Sequence, residues 1–287
     1  MGKNNLPNFL CIGAQKAGTT WLDKQLRAHP KIWMPPMKEV HYFDYVYNQD
    51  FRRWITWHLR STLRRELKKV TDSSKSIDWD KVSYLSSIMT HEEKFTDDWY
   101  KNIFSASPGD AISGEITPEY CTIGRKGIQH IRELCGEVKI IYIIRDPVSR
   151  AWSQLKMNMV RNGDYHKAVN KNKKIKDMSY FRKNLRHPSI ENRGDYRSYI
   201  PEWDVFSENI KYIPFKRIKS EPNVVLQEVS GFIGLESGFE FVDASKTVHQ
   251  GSGLKMPEEI RKDLKELFSG QYDFLKDRFG QRFFDDI

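Results

Sequence analysis

Two short segments carry the side chains that chemistry on a phosphate-bearing molecule needs. The first, Gly13-Ala14-Gln15-Lys16-Ala17-Gly18-Thr19-Thr20, follows an apolar run at 9–12 and opens a helical pattern. A glycine after a strand permits a tight turn, and successive backbone N–H groups then converge on phosphate oxygens. The helix beyond presents its unpaired N–H groups and positive dipole end to the same anion. Lys16 adds a full charge, and Thr19 and Thr20 add hydroxyl donors. An ordinary strand-to-helix turn is the plain alternative. The coincidence of strand, Gly-x-x-Lys-x-Gly-Thr-Thr and helix argues instead for a phosphate-bearing nucleotide. The second segment is Arg145-Asp146-Pro147, which ends the β-branched run 138–144, with Ser153 eight residues after the arginine. An arginine at a strand end is a rigid fork suited to phosphate, although a lone one is more often a surface ion-pair partner.

The spacing discriminates between donors. An ATP-type loop reads Gly-x4-Gly-Lys-Ser/Thr, with the lysine after the second glycine and a hydroxyl on magnesium. Here Lys16 precedes Gly18, and Thr19 stands in the lysine position. The strongest strand candidate ends in a cation, Arg145, where a magnesium carboxylate would be wanted. A P-loop kinase therefore becomes the alternative reading, and a donor handled without metal the leading one.

Elements that alternate strand and helix must position these groups. The pattern predicts a buried strand at 8–13, then a helix from Thr19 that stops before Pro30. An irregular loop is expected through 31–44, where Pro35-Pro36 falls. A helix is expected over 51–70, with Ile55, Leu59, Leu63 and Leu67 every fourth residue amid Arg and Lys. Thr90 and Glu93 resemble a capping box that opens a helix towards Phe104. Further strands are expected at 110–115, 138–144 and 210–215, and further helices at 127–134, 147–160, 224–233 and 257–268. The basic, weakly periodic segment 166–187 reads as a mobile loop or partial helix. The expected architecture is α/β: a P-loop-type central parallel β-sheet flanked by α-helices, in one domain spanning 1–287. A basic helical insertion at about 51–95 and a basic lid-like segment at about 163–187 are its least regular parts.

The two phosphate motifs together resemble the sulfotransferases that use 3′-phosphoadenosine 5′-phosphosulfate (PAPS). In that family a Gln-Lys-x-Gly-Thr-Thr loop grips the 5′-phosphate and sulfate end, and an Arg-Asp-Pro motif with a following serine grips the 3′-phosphate. Lys38-Glu39-Val40-His41-Tyr42-Phe43-Asp44 is similar to the Lys-Glu-x-His-Phe-Phe segment of the carbohydrate (heparan sulfate-type) branch. Gly194-Asp195-Tyr196, Trp203, Phe206 and the segment 224–235 match its later helices. The resemblance implies donor binding by Gln15, Lys16, Ala17, Gly18, Thr19, Thr20, Trp21, Arg145 and Ser153. It extends that role to a loop at Gly251, Ser252, Gly253 and Lys255. It implies catalysis by Lys16, by Glu39 as the base that takes the acceptor proton, and by His41, with His41 and Asp44 as orienting or substrate-contacting residues. PAPS would be the donor co-substrate and adenosine 3′,5′-bisphosphate the product, with no metal required. This sequence has Glu115-Ile116-Thr117-Pro118 where many carbohydrate-type members carry Glu-Lys-Ser/Thr-Pro.

Composition limits the partners. The chain has 287 residues, a formal net charge of +9 and 39% hydrophobic content, an ordinary globular mixture with an anion-seeking surface. The basic helix 52–69 could recruit an anionic acceptor or lie on a membrane surface; a solvated face is the bland reading. The basic stretch 166–176 could gate substrate or be a plain loop. Neither supplies the ordered aromatic platforms of a single-strand nucleic-acid binder. No nucleic-acid partner and no stable membrane insertion are therefore expected, and the acceptor is expected to be a small molecule or carbohydrate, possibly anionic. Cys11, Cys121 and Cys135 lack metal-ligand spacing and read as reduced, buried thiols. With no secretory signal pattern, they suggest a cytoplasmic protein. Glu39, His41 and Asp44 lack a helical frame and a fourth ligand for a metal. The second alternative to a sulfotransferase is a non-enzymatic polyanion-binding protein.

Overall fold

The computed structural model describes residues 6–72, 76–170, 174–236, 238–246 and 253–287. In chain order, β1 (Phe9–Gly13) leads into α1 (Thr19–Ala28), β2 (Ile32–Trp33), α2 (Tyr42–Tyr47), α3 (Arg52–Thr71), α4 (Trp79–Thr90) and α5 (Asp97–Phe104). The chain continues through β3 (Ile112–Ile116), α6 (Gly124–Cys135), β4 (Lys139–Ile144), α7 (Pro147–Arg161), α8 (Tyr165–Ala168), α9 (Ser179–Asn184), α10 (Pro188–Glu191) and α11 (Tyr196–Trp203). It ends with β5 (Ile210–Pro214), α12 (Arg217–Ser220), α13 (Pro222–Phe232), α14 (Glu258–Leu267) and α15 (Ser269–Asp285).

The strands form a five-stranded sheet in the order β2-β3-β1-β4-β5, and every pairing is parallel. β1 is fully buried between its neighbours, with Leu10 opposite Glu115 of β3 and Ile140 of β4. A continuous apolar run with no alternation is what a strand covered by helices on both faces requires. Because β3 and β4 flank β1 on opposite sides, their carboxyl ends open beside the end of β1. Open parallel sheets bind ligands in such crevices. The phosphate loop, Glu115-Thr117 and Arg145 all leave the sheet at these three adjacent strand ends.

Several local expectations differ from the structure. Thr90 ends α4 rather than opening the next helix; Thr96 is the cap of α5, accepting from the Trp99 N–H at 3.3 Å. The loop expected at 31–44 contains the two-residue β2 and the start of α2. The described residues of 166–187 follow the partial-helix alternative, in the end of α8 and in α9. Ala168, Val169 and Phe181 are buried in a cluster with Trp152, Leu155 and Met159 of α7 and Ile260 and Leu264 of α14. Apolar anchors among its lysines dock it on α7. The helix at 52–71 forms as its fourfold spacing predicts, burying Ile55, Leu59 and Leu63. The three cysteines are free and buried. No described helix is long and apolar enough to cross a membrane.

Candidate active site

The turn after β1 is built around Gly18, the residue before α1. Its φ of 87° and ψ of 8° are left-handed, and an added Cβ would lie 3.2 Å from Ile218 and 3.3 Å from Phe215. Glycine alone meets both demands without strain. The Ala17 N–H donates back to the Ala14 carbonyl and closes the turn. The N–H groups of Lys16, Gly18, Thr19 and Thr20 donate to no protein acceptor among the described residues. That row of free donors at the start of a ten-residue helix is an anion cradle.

Cations surround it. Lys16 lies against α7, its Nζ 3.5 Å from the Met157 sulfur. Burial, then the charges of Arg161, Arg145 and Lys156, lower the Lys16 pKa from the ordinary lysine value. Ser153, Lys156, Met157 and Arg161 share one face of α7 by helical spacing. Arg145 stacks on Phe215, with 4.5 Å between the guanidinium carbon and the ring centroid, and donates to the Lys16 carbonyl. That is its one side-chain hydrogen bond among the described residues, so most of its fork stays available. Asp146 is otherwise engaged. One oxygen caps α7 through the Ser149 N–H and the other accepts from the Tyr272 hydroxyl, each at 2.7 Å. It is a helix cap rather than a metal carboxylate.

The remaining loop side chains divide. Thr20 faces the site, its hydroxyl 3.3 Å from Lys38 Nζ. Gln15 is held underneath, donating to Glu119 at 2.8 Å and accepting from Arg193, which pairs with Glu119 at 2.7 Å. Trp21 is buried, and its indole N–H donates to the Ala244 carbonyl at 2.7 Å. Its polar atom is spent on packing. Ala17 and Thr19 are buried, and therefore offer backbone rather than side chain to a ligand. Gly253 and Lys255 are exposed, while Gly251 and Ser252 lie outside the described residues.

On the opposite wall, Lys38 Nζ reaches from Thr20 to Glu39, 2.8 Å from its Oε1. The other Glu39 oxygen, Oε2, is 3.5 Å from His41 Nε2, an ion-pair contact too long for a full hydrogen bond. His41 Nδ1 sits 2.7 Å from Asp44. Burial opposes the charge on Glu39, but His41 and Lys38 outweigh it and hold this carboxyl far below the usual carboxylate range. Burial likewise opposes charge on His41, and the Asp44 and Glu39 carboxylates overcome it, pushing the imidazole up to about 10. The His41 side chain is 1% exposed against 22% for Glu39, so Glu39 is the more open of the two to the site.

A buried network fixes this wall. Glu115, at the end of β3, accepts from the hydroxyls of Tyr100 (2.6 Å), Thr117 (2.7 Å) and Tyr120 (2.9 Å). Glu115 and Thr117 together receive the Val40 N–H, at 3.3 and 3.1 Å, and the Tyr120 hydroxyl receives the Tyr42 N–H at 3.0 Å. The two N–H groups bracketing His41 are thereby pinned to the sheet. Ile116, in the Glu115-Ile116-Thr117-Pro118 segment, is buried in β3. Among the described residues, five non-glycines have positive φ, and three of them are Lys16, Glu39 and His41. Left-handed backbone at such residues costs about 1–2 kcal/mol each and collects where structure enforces a working geometry.

The basic helix α3 contributes to this wall as well. Trp54 lies edge-on to His41 with ring centroids 5.1 Å apart, and His58 does so at 5.3 Å. Sequence reasoning missed both, along with Lys38, Lys156 and Arg161. The spacing of Trp54 and His58, one helical turn apart beside the Ile55/Leu59 stripe, was the available signal. A cleft of about 770 Å³ between α6 and α11, lined by Tyr47, Arg125, His130 and Glu202 among others, holds none of these residues. Convergent chemistry rather than concavity locates the site.

Residues 7–240 match the family described as Sulfotransferase family. The chain is 23% identical over 304 residues to carbohydrate sulfotransferase 15 of Rattus norvegicus, covering 96% of this chain and 52% of that protein. It is 22% identical over 242 residues to heparan sulfate glucosamine 3-O-sulfotransferase 3B1 of Homo sapiens, covering 82% and 48%. A third relative, membrane-associated sulfotransferase kil1 of Dictyostelium discoideum, is 28% identical over 149 residues, 52% of this chain and 22% of that one. The chain thus spans about half the length, or less, of these curated relatives. A solved sulfotransferase from Alicyclobacillus acidocaldarius shares the fold with a TM-score of 0.63 at 22% identity, covering 96% of both chains. The sulfotransferase domain from the curacin biosynthetic pathway does so at 0.54 and 13%, covering 93% of this chain and 97% of that one.

Proposed function

This chain belongs to the sulfotransferase family, and on that premise we propose that it moves the sulfuryl group of PAPS to a hydroxyl or amine of a carbohydrate or small-molecule acceptor. The observation that carries the proposal is the Thr20–Lys38–Glu39 bridge, in which one ammonium spans the anion cradle and the opposing carboxylate. A donor seated on the cradle and an acceptor at Glu39 would then meet across a single side chain.

The residues fit an anionic donor. Free N–H groups at Lys16, Gly18, Thr19 and Thr20 would hold phosphate oxygens, with Arg145 and Ser153 near the second phosphate. Sulfuryl transfer parallels phosphoryl transfer, an in-line displacement in which charge grows on the bridging oxygen of the leaving nucleotide. Lys16 is the cation for that oxygen, and a desolvated ammonium acts more strongly there than in water. Glu39 accepts the acceptor proton. Because its carboxyl is held so acidic, it is ionised at neutral pH but weakly basic. Proton transfer to it therefore belongs late in the displacement, once bonding to sulfur has acidified the hydroxyl. His41 and Asp44 hold Glu39 in place.

The wall around Glu39 supports the acceptor class. Trp54 is 36% exposed beside His41, a flat apolar face on which a sugar ring could stack, and Lys38 and the α7 cations suit an anionic group. The curated relatives named as carbohydrate and heparan sulfate sulfotransferases support that class. The test is transfer from labelled PAPS to a panel of hydroxyl and amine sugars in chelator. Label should reach a sugar without added metal. Turnover of ATP that depends on magnesium, with no sulfate transfer, would overturn the proposal.

A further inference from the structure

Three ligand-type side chains converge beside the acceptor wall: Glu39, His41 and His58 have ligand atoms within 4.8 Å of one another. Glu39 and His41 come from the turn before α2, and His58 comes from the middle of α3. Both His41 Nε2 and His58 Nε2 are buried, and neither has a hydrogen-bond partner among the described residues. A buried imidazole nitrogen short of a full hydrogen bond is costly: His41 Nε2 has only its 3.5 Å ion-pair contact with Glu39, and His58 Nε2 has no hydrogen-bond partner among the described residues.

The surroundings of each ring orient it as a ligand. Asp44 holds the far nitrogen of His41 at 2.7 Å, the carboxylate–histidine arrangement that directs Nε2 at a metal. Trp54 stacks on His58, with centroids 5.1 Å apart and planes at 23°, and fixes its plane. Lys38 occupies only Oε1 of Glu39, leaving Oε2 towards the histidines. Zinc bonds of about 2.0–2.2 Å place tetrahedral ligand atoms roughly 3.3–3.5 Å apart. The His41 Nε2–Glu39 Oε2 separation of 3.5 Å already meets that spacing. His58 needs to close by at most about 1.5 Å, within the reach of a side-chain adjustment.

We propose that Glu39, His41 and His58 form a binding site for a divalent transition ion of the zinc type, with a fourth position open on the exposed side of Glu39. Binding displaces the proton that His41 Nε2 carries at neutral pH and releases it to solvent; occupancy then takes the Glu39 lone pair and stops sulfuryl transfer, so the ion is an inhibitor and not a cofactor. The binding half stands on geometry alone, while the inhibitory half rests on Glu39 serving as the base.

Calorimetric titration of the full chain with zinc chloride tests binding. About one ion per chain should bind, and His58→Ala should weaken that affinity by about tenfold or more. Cobalt(II) on the unmodified chain gives a second readout that needs no variant: intense visible absorption of a tetrahedral site, lost on adding zinc. Adenosine 3′,5′-bisphosphate should bind equally well with and without zinc. Unchanged zinc affinity in a folded His58→Ala protein, or octahedral cobalt absorption only, would overturn the site. Zinc that binds through His58 yet leaves transfer intact would overturn the inhibitory half and count against Glu39 as base. Absent zinc binding beside an inactive Glu39→Gln protein would remove the site and leave that base standing.

Discussion

On the side proposed for the donor, one unbroken stretch from β1 through Gly18 to α1 supplies a row of free N–H groups, and the fold has only to bury the strand. On the side proposed for the acceptor, Glu39 and His41 sit on a turn with little regular structure of its own. They are held by Glu115 of β3, Thr117 just after it, Tyr120 beyond, and Trp54 and His58 from α3. The first wall is made by backbone geometry and tolerates changes of side chain. The second is made of side chains tied to other side chains, so a single loss propagates.

The comparison can be broken most severely at Lys16. Lys16→Ala should lower kcat by roughly 10³ while the fold persists, as loss of one preorganised charge at a developing anion does. A mere rise in acceptor KM would contradict its role. Next, Glu39→Gln should lower kcat by about 10²-fold or more with nucleotide affinity unchanged, which steady-state kinetics and calorimetry would separate. Near-normal turnover would remove Glu39 as base. Third, Glu115→Ala strands two tyrosine hydroxyls and the Thr117 hydroxyl, and leaves the Val40 N–H on Thr117 alone. At about 1–3 kcal/mol for each buried unpaired group, partly relieved by water, a loss of about 3 kcal/mol in thermal or denaturant unfolding is expected. An unchanged melting temperature would mean that the acceptor wall is not held as described.

The smallest effect is a pH shift on the donor side. The free-enzyme pKa of Lys16 is lowered by burial and by Arg161, Arg145 and Lys156. A bound anion restores it, so binding takes up a proton at alkaline pH and weakens as pH rises through the lowered value. Nucleotide affinity should therefore begin to fall below pH 10.5, the ordinary lysine value. Lys16→Arg should move that limb upward, and an unmoved limb would assign it to another group.

The same division explains what was legible in the sequence. β1, the phosphate loop, α1, β4 and α7 follow from local rules: a β-branched run, a glycine, a proline in the first turn. Even there, the roles of Lys156 and Arg161 needed only the helical spacing from Ser153. The acceptor wall was half legible, since Glu39, His41 and Asp44 lie within six residues, but their supports do not. Nothing near His58 announces His41, because the two meet only once α3 has packed across the turn. Trp21 shows the converse: a motif neighbour of the loop turns out to anchor the 241–246 segment through Ala244. Thr90 and Thr96 lie six residues apart in similar polar surroundings, and only the packing of α4 against α5 decides which one caps.

The central claim is that the cradle beside Lys16 and Arg145 takes a nucleotide with two separated phosphate groups and no metal. Calorimetric titration of the chain with adenosine 3′,5′-bisphosphate and with ADP, both in chelator, tests it most directly. The account predicts saturable binding of the bisphosphate and markedly weaker binding of ADP. Equal or tighter binding of ADP would contradict it.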